Sequence, residues 1–97
     1  MSVVYTRSAR ADLREIAQYY ARVNREYGRR ICDAIREQCR KLEKSPRMGR
    51  LRDELADDLR SFVVWPYLIF YQEIKNGIAV VRVIHGHRNI TPEMFPD

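Results

Sequence analysis

The segment 59–85 limits the possible folds of this chain more than any other. It holds two long runs of β-branched and aromatic residues, which favour strands, separated by a short polar stretch. Pro66 divides the first run, because proline donates no backbone N–H to a sheet. Asn76-Gly77, in the polar stretch, is typical of a tight hairpin turn. We therefore predict three consecutive antiparallel strands, near residues 59–65, 67–74 and 78–85.

Both faces of these strands are apolar. Regular alternation would place Val81 and Val83 on one face of the third strand, and Val80 and Ile84 on the other. A sheet with one wet face would alternate polar and apolar residues more cleanly. Helices can cover only one of the faces. Either the other face is partly open for a partner, or the loop before the strands and the C-terminal tail cover it.

Two amphipathic helices precede the strands. Apolar residues recur at intervals of three and four from Ala9 to Val23, and again from Tyr27 to Leu42. The connection between the helices is so short that they must lie antiparallel. Thr6 or Ser8 can cap the first helix, and Asn24 can end it and cap the second. Ser45-Pro46 ends the second helix.

The predicted fold is α+β, with the element order β-α-α-β-β-β in a single domain spanning 1–97. A short strand at 2–5, placed at an edge of the later sheet, is followed by the antiparallel helical hairpin and a three-stranded antiparallel sheet. We expect 47–52 to form a loop and 53–58 an acidic turn or short helical piece. The tail after Arg88 is expected to be coil or a single turn.

The composition is typical of a soluble globular protein, with 45% hydrophobic and 32% charged residues. No apolar run is long enough to cross a bilayer, and the N-terminus lacks the apolar stretch of a secretion signal. We therefore expect a cytoplasmic protein with no membrane partner. Cys32 and Cys39 would lie about 10.5 Å apart along one helix, too far for a disulfide. Their spacing matches no metal motif, so we expect reduced thiols, no metal and no cofactor.

The chain is strongly basic, with a net charge of +5 and an isoelectric point near 9.6. Fifteen of the 18 basic residues are arginines, which favour bidentate contacts with phosphate or carboxylate. Nine basic residues against three acidic ones lie between Arg29 and Arg52. This region is either a surface for an acidic partner, nucleic acid or protein, or a solvated helix face.

Several single residues suggest contacts or structural roles. Arg60 is expected to lock the sheet edge by pairing with an acidic group. Arg82, within a run of valines and isoleucines, is expected on an open face, where it would meet a carboxylate of a partner protein or contact the target of this chain. Trp65 with Pro66 is expected to form a packed corner. Tyr19 is expected to be partly exposed.

Short motifs along nearly the whole chain resemble the ParE/RelE superfamily of bacterial type II toxins, which includes plasmid stabilisation proteins, and the ParE branch most closely. Each motif alone is weak, but their joint order in so short a chain is specific. The motifs are Tyr5; Ala11-Asp12-Leu13-x-x-Ile16-x-x-Tyr19-Tyr20; Leu42-x-x-Ser45-Pro46-x-Met48-Gly49-Arg50; Leu59-Arg60-Ser61-Phe62-x-Val64; Tyr67-x-Ile69-x-Tyr71; and Val83-Ile84-His85-Gly86-x-Arg88.

The resemblance implies a toxin of a type II toxin–antitoxin system. A ParD-like antitoxin, whose C-terminal segment wraps the toxin, would form a hetero-oligomer with it. The implied target of the ParE branch is DNA gyrase, poisoned so that cleaved DNA persists. The toxin would then contact DNA only indirectly, through the antitoxin or gyrase. The RelE branch instead cleaves messenger RNA on the ribosome.

The chemistry of the C-terminal third favours the non-enzymatic branch. RNA cleavage needs a base, an acid and cations near the phosphate. The tail 89–97 has no tyrosine, lysine or arginine, and the strands hold only three arginines, with Lys75 at a hairpin tip. His85 and His87 remain as a possible base and acid, and the three arginines are Arg60, Arg82 and Arg88. Two alternatives stay open: a ribosome-dependent messenger RNA endonuclease using His85, His87 and Arg88, and a degenerate toxin acting only as a complex partner or co-repressor. The residues expected to contact target or antitoxin are Arg60, Tyr67, Arg82, His85, His87, Arg88 and Tyr19.

Overall fold

A five-stranded mixed sheet carries both helices on one face. The computed structural model describes residues 2–96, so Met1 and Asp97, the ends of the predicted domain, lie outside the described residues. The α+β fold class and the order of the elements are confirmed. The elements are β1 (Ser2–Tyr5), α1 (Arg7–Val23), α2 (Arg25–Lys44), a 3-10 helix (Pro46–Met48), β2 (Arg50–Leu51), β3 (Leu59–Val64), β4 (Tyr67–Ile74), β5 (Gly77–His85) and a second 3-10 helix (Pro92–Met94).

The sheet has the strand order β1-β5-β4-β3-β2. The three predicted strands are its antiparallel centre, and β1 lies at one edge, parallel to β5. The prediction of a loop over 47–52 is partly wrong, because Arg50 and Leu51 pair with Ser61 and Arg60 as the edge strand β2. Two residues are too few to show a strand periodicity in the sequence.

The helices begin and end where the sequence predicts. The Thr6 side chain accepts a hydrogen bond from the backbone N–H of Ala9 at 3.1 Å, which caps α1. Asn24 ends α1 and caps α2 through the N–H of Tyr27, also at 3.1 Å. Ser45 closes α2 directly before Pro46. Within residues 2–96, neither helix is long and apolar enough to cross a membrane.

A β-bulge in β5 changes which residues face the helices. Phe70 of β4 pairs with Arg82 and Tyr71 pairs with Val80, so Val81 has no partner. Val80 and Val83 consequently both pack against the helices, and Val81 packs on the opposite face. The predicted grouping of these residues is therefore wrong, because the bulge puts Val80 on the face of Val83 and Val81 on the face of Ile84.

The second face of the sheet is covered. Leu55, from the loop before β3, and Phe95, from the tail, pack against Phe70 and Ile84 of the sheet. The rings of Phe70 and Phe95 lie 4.9 Å apart. The hypothesis of a partly open face is therefore wrong, and the alternative, in which the loop and the tail cover that face, is confirmed.

Candidate functional site

Four rings form a row at one end of the sheet, which we call the ring row: Trp65, His87, His85 and Tyr67. Trp65 meets His87 edge-on, with ring centroids 5.7 Å apart. His87 stacks on His85 at 5.1 Å, with 29° between the planes. His85 meets Tyr67 edge-on at 5.3 Å. The row thus runs from the exposed Trp65 to the buried Tyr67.

Backbone contacts between two loops hold the ring row together. The N–H of Gly86 donates to the carbonyl of Pro66 at 2.7 Å, which joins the end of β5 to the β3–β4 turn. A Cβ atom at Gly86 would lie 3.2 Å from that carbonyl oxygen and 3.6 Å from the Trp65 ring. The N–H of His87 donates to Nδ1 of His85 at 3.1 Å, so this nitrogen carries no proton in the bonded state.

Trp65 is exposed over 67% of its surface, so the packed corner expected at this position is wrong. The residue follows the last residue of β3, where the chain has left the sheet. Its ring meets His87 instead of the core.

A cleft of about 380 Å³ lies between α1 and the end of β5. Tyr67 is buried at its floor, where its hydroxyl lies 3.5 Å from that of Tyr20, and burial raises the pKa of Tyr67. Tyr19, exposed over 57% of its surface, lines the same cleft with His85 and Arg88. The cleft therefore brings together four of the seven residues predicted to form the site.

Arg82 does not lie free on an open face, and this expectation is wrong. Its guanidinium donates two hydrogen bonds to the carboxylate of Asp12, at 2.7 and 3.0 Å. Only 18% of the Arg82 side chain and 14% of the Asp12 side chain are exposed. The bond to Asp12 raises the pKa of Arg82 above its usual value. The residue therefore links α1 to β5.

Arg60 stabilises the sheet edge, as the sequence predicts, but the prediction of an acidic partner is wrong. Its Nη1 donates to the carbonyl oxygens of Gly49, at 2.8 Å, and Arg47, at 3.3 Å. The hydroxyl of Tyr71 holds the same loop, because it accepts from the N–H of Gly49 at 2.9 Å and donates to the carbonyl of Pro46 at 2.7 Å. Both side chains fix the entry to β2.

A second concave surface, the arginine groove, follows the contact between α1 and α2 and has a volume of about 560 Å³. Small or apolar side chains line its floor, and five arginines against one aspartate line its sides. A Cβ at Gly28 would clash with Tyr20, so the glycine allows the two helices to approach closely. Among residues 2–96, none of the five arginines is in an ion pair. The arginines are Arg10, Arg14, Arg25, Arg29 and Arg36; the floor includes Leu13, Ala17, Ala21, Gly28 and Cys32.

The sequence of residues 3–90 matches the family described as "ParE toxin of type II toxin-antitoxin system, parDE". The chain belongs to the ParE toxin family. Toxin ParE3 of Caulobacter vibrioides is 30% identical over 54 residues, which are 56% of this chain and 54% of that toxin. The match thus spans about half of that relative. A solved structure titled "Chromosomal ParDE TA system from P. aeruginosa" has a TM-score of 0.72 at 25% identity, covering 88% of this chain and 95% of that chain.

In this member of the ParE family, the sequence does not predict two surface features. The arginine groove includes Arg10, Arg14 and Arg25, which precede the basic region 29–52. Arg25, Arg29 and Arg36 recur at intervals of four and seven, which places them on one side of α2, and this spacing could have revealed the groove. Arg40, by contrast, forms an exposed pair with Glu37, as expected for a solvated helix face. The only signal of the exposure of Trp65 in the sequence is its position directly before Pro66, where the strand run is interrupted.

Proposed function

We propose that this chain is a toxin that binds DNA gyrase and leaves cleaved DNA in place, and that a ParD-type antitoxin neutralises it in a hetero-oligomeric complex. The observation that carries the proposal is the family match over residues 3–90. Gyrase and antitoxin are both cytoplasmic partners in this account, so the toxin would act in the cytoplasm.

The arginine groove suits an antitoxin segment that is both acidic and amphipathic. Carboxylates of such a segment would meet the guanidinium groups of Arg25 and Arg29, which are free of ion pairs in the described chain. The apolar side chains of the antitoxin segment would pack on the floor of the groove at Ala17 and Ala21, whose small side chains leave room for them. Charge complementarity of this kind raises both the rate and the specificity of association.

The antitoxin site can be tested by reversing single charges inside and outside the groove. Arg29→Glu changes a groove residue, and Arg30→Glu makes the same change one position away, at an exposed residue that does not line the groove. We expect Arg29→Glu to weaken binding of the antitoxin encoded beside this gene by about tenfold or more, measured by titration calorimetry. Equal losses in the two variants would exclude the groove as the site.

The exposed end of the sheet is the proposed contact for gyrase. Tyr19, His85, His87 and Arg88 are accessible there, and three of these residues line one cleft. We propose that they bind the target without doing chemistry on it. Nδ1 of His85 already accepts a hydrogen bond and is not free to act as a base.

Purified gyrase and plasmid DNA test the proposed target. We expect linear plasmid to accumulate after detergent and protease treatment when the toxin is present, and to disappear when the antitoxin is added first. Unaffected supercoiling with no linear plasmid would contradict gyrase as the target.

The ribonuclease alternative is favoured by one observation, the juxtaposition of two histidines and an arginine at a strand end. It predicts transcript cleavage in a ribosomal translation reaction, and loss of cleavage in His85→Ala, His87→Ala or Arg88→Ala. Toxicity that survives all three substitutions would exclude it. A degenerate toxin, the remaining alternative, predicts no growth arrest with the unmodified chain.

A further inference from the structure

We propose that the ring row is a stacking site for an unpaired nucleobase, with the exposed indole of Trp65 as the platform. Arg88, in the cleft next to His85, would bind a phosphate of the same strand. The proposal goes beyond the function given above, in which DNA is met only through gyrase or the antitoxin. It assigns this chain a direct contact with single-stranded nucleic acid.

Trp65 contacts His87 while most of its surface is free. Its ring meets His87 edge-on at 5.7 Å and lies against Gly86, yet 67% of the residue is exposed. His87 is in turn stacked on His85, which contacts the buried Tyr67. An exposed aromatic ring supported in this way is already ordered before binding. It therefore loses little conformational freedom when a base stacks on it.

The charge around the ring row suits a polyanion. Arg88 is exposed, and none of the ion pairs found between residues 2 and 96 involves it. The N–H of Arg88 donates to the carbonyl of His85 at 3.0 Å, which fixes the turn that places the arginine after the histidines. The net charge of +5 favours the approach of nucleic acid.

The neighbourhood of Trp65 suits a nucleobase better than an apolar protein surface. A protein hot spot lies in a well-packed, fully desolvated pocket, surrounded by contacts that exclude water. The residues that follow Trp65 in the row are imidazoles, and the next exposed side chains along the chain, Arg88 and Asn89, are polar. Val63, exposed over 54% of its surface, is the nearest exposed aliphatic residue along the chain. It provides a control for an apolar interface.

Intrinsic fluorescence can test the site, because Trp65 is the single tryptophan of the chain. The probe is a single-stranded oligothymidylate of about 12 nucleotides, in the range of common single-strand sites. An oligomer of the same length without bases and a duplex of the same length serve as controls. We expect the single strand to quench Trp65 and to bind at least several-fold more tightly than either control.

Variants separate base stacking from attraction to phosphate. Affinity is measured by anisotropy of a labelled strand, since the variants at position 65 lack the fluorophore. Trp65→Ala should weaken binding by about tenfold or more, Trp65→Phe by less, and Val63→Ala should have no effect. Circular dichroism confirms that each variant is folded.

Equal binding of the single strand and the abasic oligomer would overturn the proposal, and so would unchanged affinity in Trp65→Ala. Loss of binding to gyrase in both Trp65→Ala and Val63→Ala, with unchanged affinity for oligothymidylate, would show that the surface around Trp65 is a protein contact instead. The effect of the toxin on gyrase is measured in a separate reaction, so the proposed function is tested independently of this site.

Discussion

The carboxylate of Asp12 on α1 binds Arg82 of β5 through two hydrogen bonds, and one of its oxygens also accepts the backbone N–H of Val83 at 2.9 Å. β1 ends at Tyr5, opposite Val80, so the rest of β5 has no neighbouring strand on that side. Asp12 therefore satisfies an edge N–H that a strand would otherwise satisfy. This single carboxylate fixes the first helix to the sheet.

We predict that Asp12→Asn lowers the free energy of unfolding by about 2–3 kcal/mol, because it leaves the mostly buried Arg82 charge without its partner. Urea denaturation measures the change. Glu37→Gln is the control, since it breaks the Arg40–Glu37 pair, whose side chains are 63% and 53% exposed. That loss should stay below about 0.5 kcal/mol. Equal effects of the two substitutions would contradict the role given to Asp12.

Tyr71→Phe should destabilise the chain by about 1–2 kcal/mol, although it removes only one oxygen atom. The hydroxyl bonds two backbone groups, and without it the N–H of Gly49 loses the acceptor that it has in the fold. Tyr19→Phe removes an exposed hydroxyl and should be nearly neutral. Thermal unfolding of both variants checks this difference, and a neutral Tyr71→Phe would show that the loop does not depend on the bond.

Stability should fall at alkaline pH. Burial raises the pKa of Tyr5, Cys39 and Tyr67 in the folded chain. The unfolded chain therefore releases protons first, so stability is fully present below the ordinary thiol pKa of 9.0 and declines as pH rises above it. Urea midpoints at about pH 8 and about pH 10.5 measure the decline. A midpoint that does not move would contradict the protonated, buried state of these groups.

Phe95→Ala should cost about 2–4 kcal/mol, because Phe95 covers the second face of the sheet against Phe70. The variant should also bind a hydrophobic dye more strongly than the unmodified chain. Met48→Ala, at a residue exposed over 48% of its surface, provides the control. A neutral Phe95→Ala would mean that this face is open in solution.

The sequence predicts most of the fold because local rules decide it. Helical periodicity, the caps at Thr6 and Asn24, and the turn at Asn76 act over a few residues. The bulge at Val81 is not predicted, because it depends on how β5 fits β4 and α1 together. The covering of the second face by Phe95 is likewise a long-range contact, and the sequence leaves it open.

The sequence predicts less of the candidate site than of the fold, because the site depends on contacts between distant elements. His85, Arg88 and Tyr19 do meet at one cleft, because a strand end and a helix face bring them together. The sequence does not predict the position of Arg82, since its partner Asp12 lies 70 residues away on another element. Trp65 has the residue type of a core residue, but its position in a turn leaves it exposed.

Induced expression of this chain without its antitoxin, with broken DNA and broken transcripts measured in the same cells, distinguishes gyrase poisoning from RNA cleavage. Gyrase poisoning predicts growth arrest with filamentation, DNA-damage induction and intact messenger RNA. Arrest with cut transcripts and intact DNA would contradict it and favour the ribonuclease. Absence of growth arrest, with the chain present and folded, would also contradict gyrase poisoning. It would favour a degenerate toxin that acts only as a complex partner.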